Sequence, residues 1–449
     1  MYEICKIKCF LHFFAKTYYI VLKSGRNMLI QFTIDNYRSI KNTLIFSMVS
    51  GRKNKGFCFE ERNLRLLPSA VLYGANASGK SNILRAFRFM RSMVLNSHKV
   101  VQSTDTLLHD PFRLSSETEV ASSSFEAVFL QKGVKYRYGF EADATTVYSE
   151  WLFADTNGKE AKLFFRDAKD DEFYVNPEKF KEGKGLKVLP NSLFIWKCDQ
   201  EGGSVSREIL DWFKKVKYLD GMKSSKYLTY TFNKMYDADF RAEIVKLVKS
   251  ADLGIQDINV EKSEIPASSV IDGLPLPDNV KEAIKSSASP LTEIGIKTVH
   301  GKTDASGHIS GTSEFDLQSM ESKGTQKFFC LSAPFLETLR NGGVLIVDEL
   351  DASLHPMLTM ALVSLFAQRS LNKNNAQLIF ATHDTNLLRM SMFDRSQIWF
   401  VEKDLVEGTH VASLSEYKNV RATADIGKMY IQGKFGAVPY VGDFFKEEE

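Results

Sequence analysis

The chain has few cysteines. Its 449 residues include only five, which are Cys5, Cys9, Cys58, Cys198 and Cys330. An odd and scattered set excludes a disulfide framework and is typical of reduced thiols in a cytoplasmic protein. Cys5 and Cys9 lie near His12, but no second cluster supplies the remaining ligands of a four-coordinate zinc site. We therefore interpret these three residues as incidental.

The sequence also lacks an excess of one charge and a long apolar run. Its 58 basic and 55 acidic residues give a net charge of +3, whereas nucleic-acid-binding domains usually have a clear basic excess. This overall balance of charge does not exclude a local basic surface. The apolar stretch in residues 1–27 is interrupted by Lys16, so its pieces are too short to cross a membrane. No small-residue cleavage site follows, and we interpret this stretch as an amino-terminal extension or a start-site artefact ahead of Met28.

No internal repeat and no long heptad pattern is visible, which excludes a repeat protein and a coiled-coil arm. Strand and helix patterns alternate instead. Residues 124–166 predict an antiparallel meander, residues 206–216 and 237–248 predict amphipathic helices, and residues 261–290 hold four of the eleven prolines and predict an exposed connector. The expected parts are an extension (1–27), a first lobe (28–200), a helical insertion with connector (201–310) and a second lobe (311–449).

One glycine-rich segment, from Gly74 to Ser81, matches the phosphate-binding pattern G-x-x-x-x-G-K-[ST] completely. An apolar run precedes it and helical spacing of apolar residues follows, which is the context that the motif needs. Backbone N–H groups of such a loop converge on phosphates, and Lys80 is predicted to reach the β- and γ-phosphates of ATP. Ser81 is predicted to bind Mg²⁺. The predicted ATP-binding residues here are Gly74, Asn76, Ala77, Ser78, Gly79, Lys80, Ser81 and Asn82.

Two downstream strands end in polar residues that complete such a site. The apolar run 344–347 is followed by Asp348 and Glu349, which is the Walker B pattern. Asp348 is predicted to hold Mg²⁺, and Glu349 is predicted to act as the general base for the attacking water. The run 377–382 ends at His383, which we predict to contact the γ-phosphate or that water. A lone histidine at a strand end is as often structural, but its position after the Walker B strand favours a catalytic role.

The order of these motifs resembles that of the ABC-type ATPases. The 268 residues from Lys80 to Asp348 are too many for a compact GTPase and suit an ABC head with insertions. The resemblance implies a signature loop before Walker B, and the segment 321–326 fits, because Ser322 and Gly324 keep a hydroxyl and a close backbone approach at a helix N-terminus. Two other positions depart from the transporter consensus, and a plain helix cap is the alternative. The implied fold is an α/β ABC-ATPase head (a P-loop NTPase) with an antiparallel β subdomain and a helical insertion.

Other segments narrow the resemblance. Residues 350–356 are similar to the D-loop of non-transporter ABC ATPases, and residues 36–39 are similar to the opening of RecF, SMC and OLD-type heads. Arg38 and Asp351 are therefore expected among the ATP-site residues. Two closing segments are similar to RloA-like ATPases, which are bacterial proteins often paired with a separate nuclease in anti-phage or restriction-linked loci; these segments are 397–402 and 431–439. The resemblance covers about residues 28–449.

The resemblance also implies a mechanism and partners. In ABC heads the signature loop of one subunit completes the ATP site of another, so Ser322 and Gly324 would face Lys80 of a second copy. ATP with Mg²⁺ would hold this homo-oligomer together, and hydrolysis would release it. The expected further partners are a separately encoded nuclease or toxin subunit and, as trigger, a phage protein or a nucleic acid; no membrane is expected. No Q-loop glutamine is convincing, although Gln102 is a candidate.

Several functions stay open. The first is an ATP-hydrolysing sensor or regulatory subunit of an anti-phage defence system, and the second is a DNA-repair or chromosome-maintenance ATPase of the RecF or SMC type. The missing coiled coil disfavours an SMC protein. About 65 residues follow His383, too few for the nuclease domain of an OLD protein. The aberrant signature disfavours a transporter ATPase, and the intact Glu349 disfavours a purely structural nucleotide binder.

Two regions have less specific predictions. Arg85, Arg88 and Arg91 form a stripe after the phosphate-binding loop that suits nucleic-acid contact, but a solvated face or intramolecular pairing is the favoured interpretation. Residues 200–290 interrupt the head without a catalytic motif, and we predict that they bind the specific partner or ligand.

Overall fold

The computed structural model describes residues 27–51, 56–96, 102–251, 253–265, 277–278, 280–282, 291–388, 392–418, 420–421 and 424–439. The described part of the chain divides into two compact units, one within residues 223–336 and the other within residues 27–222 and 337–439. The expected extension at 1–27, with Cys5, Cys9 and His12, lies outside the described residues apart from Asn27.

The strands and helices have the following bounds. The strands are β1 (Asn27–Asp35), β2 (Leu44–Ser47), β3 (Phe59–Glu61), β4 (Leu64–Leu66), β5 (Ser69–Gly74), β6 (Ser123–Gln131), β7 (Val134–Ala142), β8 (Val147–Asp155), β9 (Glu160–Asp167), β10 (Glu172–Val175), β11 (Val216–Asp220), β12 (Ile255–Ile265), β13 (Leu291–Thr303), β14 (Ile309–Asp316), β15 (Val344–Asp348), β16 (Gln377–Ala381), β17 (Ile398–Lys403) and β18 (Thr409–Ser413). The α-helices are Lys80–Asn96, Ser116–Glu119, Phe194–Gln200, Ser204–Lys214, Leu228–Lys234, Ala238–Ser250, Lys323–Asn341, Pro356–Ala367 and Ile426–Ile431. Short 3-10 helices span Lys181–Gly183, Gly221–Tyr227, Thr385–Leu388, Arg395–Gln397 and Leu414–Glu416.

A seven-stranded sheet runs in the order β10-β9-β8-β7-β6-β1-β2, and every pair in it is antiparallel. Buried and half-buried residues alternate along β1 and β6, as they do when one face of a sheet packs on a core. On that core, Phe32 stacks on Phe87 at 3.7 Å and Phe129 stacks on Trp212 at 4.0 Å. Each buried aromatic side chain contributes about 1.5–3 kcal/mol. The sheet confirms the predicted antiparallel subdomain.

A second, six-stranded sheet runs in the order β11-β15-β16-β5-β17-β18. Its strands are parallel except for the terminal pair β17–β18. The strands β5, β15 and β16 are buried along their whole length, which explains why they are continuous apolar runs rather than alternating ones. The α/β class with a parallel sheet is therefore confirmed. Parallel order also places the carboxyl ends of β5, β15 and β16 at one edge, where the predicted site lies.

One fully buried glutamine links the two sheets. Gln377, at the start of β16, accepts a hydrogen bond from the backbone N–H of Leu29 (2.6 Å) and donates to the carbonyls of Leu29 (3.1 Å) and Leu67 (3.0 Å). Since a buried amide is stable only when its groups are paired, this residue fixes β1 of the antiparallel sheet beside the parallel sheet.

The unit of residues 223–336 differs from the expected helical insertion at 201–310. Its helices Leu228–Lys234 and Ala238–Ser250 are followed by a three-stranded antiparallel sheet in the order β12-β13-β14. The predicted connector begins inside β12, and its residues 266–276 and 283–290 lie outside the described residues. The prediction of a helical segment up to residue 216 was also wrong at its end, because the β-branched Val216 starts β11, which pairs in parallel with β15.

Within the residues that the structure describes, no helix is long and apolar enough to cross a membrane. The two-stranded sheet β3–β4 completes the described secondary structure.

Candidate nucleotide-binding site

The predicted phosphate-binding loop connects the end of β5 to the helix Lys80–Asn96, as the motif requires. Ala77 and Gly79 have positive φ angles of 62° and 108°. A Cβ atom on Gly79 would lie 2.1 Å from Oγ1 of Thr409, and one on Gly74 would lie 2.3 Å from the carbonyl oxygen of Val401. Both glycines are therefore needed for the close approach of the neighbouring strands, and Gly79 is also needed for its backbone conformation.

Lys80 is buried at the base of this loop, with 6% of its surface exposed. Its Nζ donates hydrogen bonds to the carbonyl oxygens of Gly74 (2.8 Å) and Ala75 (2.9 Å). Burial lowers the pKa of Lys80 to about 8, although the carboxylates of Asp348 and Glu349 act in the opposite direction. An ammonium group that burial penalises in this way is suited to a strongly anionic ligand such as a polyphosphate, which would restore its charge.

Ser81 and Asp348 are brought together from positions far apart in the sequence. The Ser81 hydroxyl donates to Oδ1 of Asp348 at 3.0 Å, and the Tyr218 hydroxyl lies 3.4 Å from Oδ2 of the same carboxylate. Burial raises the pKa of Asp348. A hydroxyl beside a carboxylate offers the hard oxygen ligands that Mg²⁺ prefers. Among the described residues no cluster of three or more His, Cys, Asp or Glu could hold a metal.

Glu349 and His383 both line the pocket in front of the loop. Glu349 directly follows β15 with a positive φ of 50°, a conformation that a non-glycine residue adopts at a cost of about 1 kcal/mol or more. The backbone N–H of His383 donates to Oδ2 of Asp351 at 3.2 Å. Burial lowers the pKa of His383, and so does the positive charge of Lys80; its imidazole is therefore neutral near pH 7 and able to accept a proton.

The pocket has a volume of about 670 Å³, which is large enough for a nucleotide. Its lining includes the predicted residues Asn76, Ala77, Ser78, Gly79, Lys80, Ser81, Asn82, Glu349 and His383. It also includes three residues that were not predicted to bind ATP, which are Ser39, Arg85 and Lys403. The structure thus gathers most of the predicted site within one pocket, but it does not test the roles assigned to these residues, which stay predictions.

Two predicted residues lie outside this pocket. Arg38 does not line the pocket and instead forms an ion pair from Nε to Oδ2 of Asp110 at 2.7 Å. Gln102 does not line it either, and its carbonyl accepts a hydrogen bond from Asn191 at 2.9 Å. The Arg38 side chain and the Gln102 carbonyl are thus held by protein groups, and a nucleotide-binding role for either residue stays a prediction.

Two arginines of the stripe, Arg88 and Arg91, contact other groups of the protein. Arg91 donates from Nε to the carbonyl of Phe213 at 3.1 Å, and the Arg88 guanidinium lies 5.5 Å from the centre of the Tyr218 ring. Arg85 lines the pocket. These contacts agree with the intramolecular interpretation and add one cation to the nucleotide site.

The signature candidates lie in the other unit, at the start of the helix Lys323–Asn341. The exposed Ser322 accepts a hydrogen bond at Oγ from the backbone N–H of Thr325 at 3.1 Å. Within a single chain Ser322 is therefore a helix cap, as in the alternative interpretation. A capped, exposed helix start is also the form in which such a loop would meet a second subunit, so the role of Ser322 and Gly324 in another copy's ATP site stays a prediction.

Sequence reasoning missed a group of residues that hold the loop from outside. The Thr409 hydroxyl lies 2.9 Å from the carbonyl oxygen of Ser78 and 2.7 Å from Oγ of Ser39, and Asn82 donates to that same Ser39 oxygen at 2.8 Å. No motif marks Thr409. The position of Lys403 at the pocket was predictable, because this residue ends β17, which pairs in parallel with β5. Residues at the carboxyl ends of neighbouring parallel strands lie close together.

Residues 69–389 match the family model described as "AAA domain, putative AbiEii toxin, Type IV TA system". No curated protein matches the chain. Similar solved structures include the SMC head domain from Thermotoga maritima, with 14% sequence identity, 86% of this chain and 98% of that chain covered, and a TM-score of 0.38. They also include a structure described as the SmcHead bound to the C-winged helix domain of ScpA, with 15% identity, 86% of this chain and 97% of that chain covered, and a TM-score of 0.37.

Proposed function

The chain belongs to the AAA-domain family whose model matches it, and from that premise we propose that it hydrolyses ATP with Mg²⁺ at the pocket around Lys80. The observation that carries this proposal is the hydrogen bond between Ser81 and Asp348. It joins the last residue of the phosphate-binding loop to the Walker B acid, beside a pocket that Glu349 and His383 also line. A glycine-rich turn without a nucleotide has no need of that convergence.

Each residue of the pocket has a separate role in the proposed hydrolysis. The loop amides and Lys80 hold the phosphates, and Ser81 and Asp348 hold the metal. Mg²⁺, when bound, neutralises charge on the phosphate oxygens. The Glu349 carboxylate takes a proton from the attacking water. The neutral His383 orients that water or the terminal phosphate, held in place through its backbone bond to Asp351.

A second copy completes the site in this proposal. Ser322 is exposed and Gly324 is half-buried at the start of their helix, so both are accessible to another subunit. Backbone N–H groups at a helix start are suited to bind a phosphate. Asp351 follows the Walker B strand, with one carboxylate oxygen buried and without a hydrogen bond, and is proposed to lie at the junction. ATP would then act as part of an interface and hydrolysis would open it.

We further propose that this ATPase regulates a separately encoded nuclease or toxin in bacterial anti-phage defence. The family description, which refers to a toxin of a toxin–antitoxin system, supports a role in a system of that kind. The alternative is an ATPase of DNA repair or chromosome maintenance. An SMC-type arm needs long helices, and the longest helix among the described residues has only 19 residues. That length favours the defence role over an SMC protein.

Release of phosphate from ATP tests the proposal. Wild-type protein is expected to release phosphate only with Mg²⁺, and Lys80→Ala and Glu349→Gln should each reduce the rate by at least about a hundredfold. Equal rates in wild type and Glu349→Gln would overturn the catalytic assignment. Mass spectrometry of the proteins that co-purify from the native host separates the two biological roles: a small nuclease or toxin supports defence, and repair factors on DNA ends support the alternative.

A further inference from the structure

The loop that precedes the helix Lys323–Asn341 is fixed by side chains of the three-stranded sheet. The carboxylate of Glu321, one residue before Ser322, contacts His300 on β13 from Oε1 to Nε2 at 2.7 Å. The hydroxyl of Thr298, also on β13, donates to the same oxygen at 2.5 Å. The side chains of Glu321 and His300 are only 10% and 19% exposed, so these contacts are shielded from competing water.

The partners of Glu321 are themselves held firmly. The His300 ring stacks on Phe315 of β14, with ring centres 4.8 Å apart and an angle of 28° between the planes. Thr298 is fully buried. The cluster therefore ties the residue before Ser322 to β13, the central strand of the sheet, and through Phe315 to β14.

A second set of bonds holds the loop from its other side. Gln326 donates from Nε2 to the carbonyl oxygens of Gln318 and Glu321, both at 2.9 Å. Ser322 accepts from the backbone N–H of Thr325 at 3.1 Å. Ser322 is thus an exposed residue between two segments that side-chain hydrogen bonds hold in place.

We propose that Glu321 and His300 are positioning residues, which hold Ser322 and the following amides in the orientation required by the ATP of a second copy. The inference rests on the proposed function, since it needs the signature loop to act on another subunit. It adds that the three-stranded sheet is part of that composite site. Neither residue touches ATP in this account, and displacement of a catalytic group by about 1 Å can cost on the order of a hundredfold in rate.

The first test compares variants of the positioning pair. Glu321→Ala and His300→Phe are each expected to lower kcat by about tenfold to a hundredfold, while the affinity of the single chain for a fluorescent ATP analogue stays unchanged. The phenylalanine keeps an aromatic ring against Phe315 and removes the contacts of the ring nitrogen with Glu321 and Thr298, which guards against loss of folding. Glu314→Ala is the matched control, because Glu314 is an exposed acid on the same sheet and should leave the rate unchanged.

The second test asks whether Glu321 acts on another subunit. A mixture of Glu321→Ala and Lys80→Ala should hydrolyse ATP faster than the mean of the two variants alone, because each mixed dimer has one intact site. Ser322→Arg mixed with Lys80→Ala is the parallel experiment for the signature loop itself.

The outcomes separate the two claims. If Ser322→Arg leaves the rate unchanged or gains nothing from mixing, the composite site and hence the proposed function are wrong. If Ser322→Arg behaves as expected but Glu321→Ala has the wild-type rate, or is not rescued by Lys80→Ala, the positioning role is wrong and the composite site stands.

Discussion

Thr409 offers a direct test of how the phosphate-binding loop is held. It lies at the start of β18, fully outside the motif, and is only 3% exposed. Its hydroxyl lies 2.9 Å from the carbonyl oxygen of Ser78 and 2.7 Å from Ser39. The loop that it contacts contains two residues with positive φ angles, so the loop conformation depends on such outside bonds. We predict that Thr409→Val weakens ATP binding although Thr409 is not among the residues that line the pocket.

The magnitude follows from the groups left unpaired. Valine has nearly the shape of threonine, so the packing against Gly79 is kept, but the Ser78 carbonyl loses a donor in a buried place. The cost of an unsatisfied buried group is about 1–3 kcal/mol, which corresponds to about a fivefold to hundredfold change in an equilibrium constant. Part of this cost will appear as lower thermal stability and the remainder as weaker binding.

Titration with a fluorescent ATP analogue and thermal unfolding measure the two parts. Thr409→Ser keeps the hydroxyl and removes only a methyl group, so it should bind ATP nearly as well as wild type. The reasoning is refuted if Thr409→Val binds ATP with wild-type affinity, or if the serine variant is as weak as the valine variant.

Three further outcomes are expected. Glu150 is fully buried and accepts hydrogen bonds from Tyr138, Arg166 and two backbone N–H groups, so Glu150→Gln should lower the free energy of unfolding in urea by about 3–5 kcal/mol. As a control, Glu201→Gln removes a charge from an exposed ion pair and should change that free energy by less than about 1 kcal/mol. Equal effects of the two substitutions would contradict this prediction. The Tyr73 hydroxyl donates to the carbonyl of Asp384, next to His383, at 2.7 Å. Loss of this hydrogen bond in Tyr73→Phe, which is worth about 1 kcal/mol, should lower kcat several-fold without a change in ATP affinity. An unchanged kcat would contradict this prediction. Burial raises the pKa of the Cys330 thiol to about 12, so its thiolate is scarce at pH 8 and iodoacetamide should modify Cys330 only after unfolding, whereas peptide mapping should find the half-buried Cys58 modified in the native protein.

The convergence of the phosphate-binding loop, the two acids and the histidine was predictable because each of these patterns is local in the sequence. A glycine loop, two acids after an apolar run and a histidine after another are each contained in about eight residues, and parallel pairing then brings them to one edge. The Ser81–Asp348 bond was predictable for that reason, although the two residues are far apart in the chain.

What the sequence did not predict depends on contacts between distant segments. Thr409 has no local pattern, and its role comes from the pairing of β18 with β17 beside the loop. The extended strands β12 and β13 were missed because lysine and glutamate recur in both, so their apolar alternation is weak. Arg38 matched a family motif but pairs with Asp110, since the motif could not show that an acid lies nearby.

The central claim is that two copies enclose ATP. Glu349→Gln should bind ATP but hydrolyse it very slowly, and it is therefore expected to elute in gel filtration with ATP and Mg²⁺ at the size of a dimer or larger assembly. Lys80→Ala, in the same buffer, should elute as the smaller species because it cannot hold the phosphates. If the two variants elute at the same position, ATP does not control assembly through this site and the account of the protein as an ATP-gated regulator is wrong.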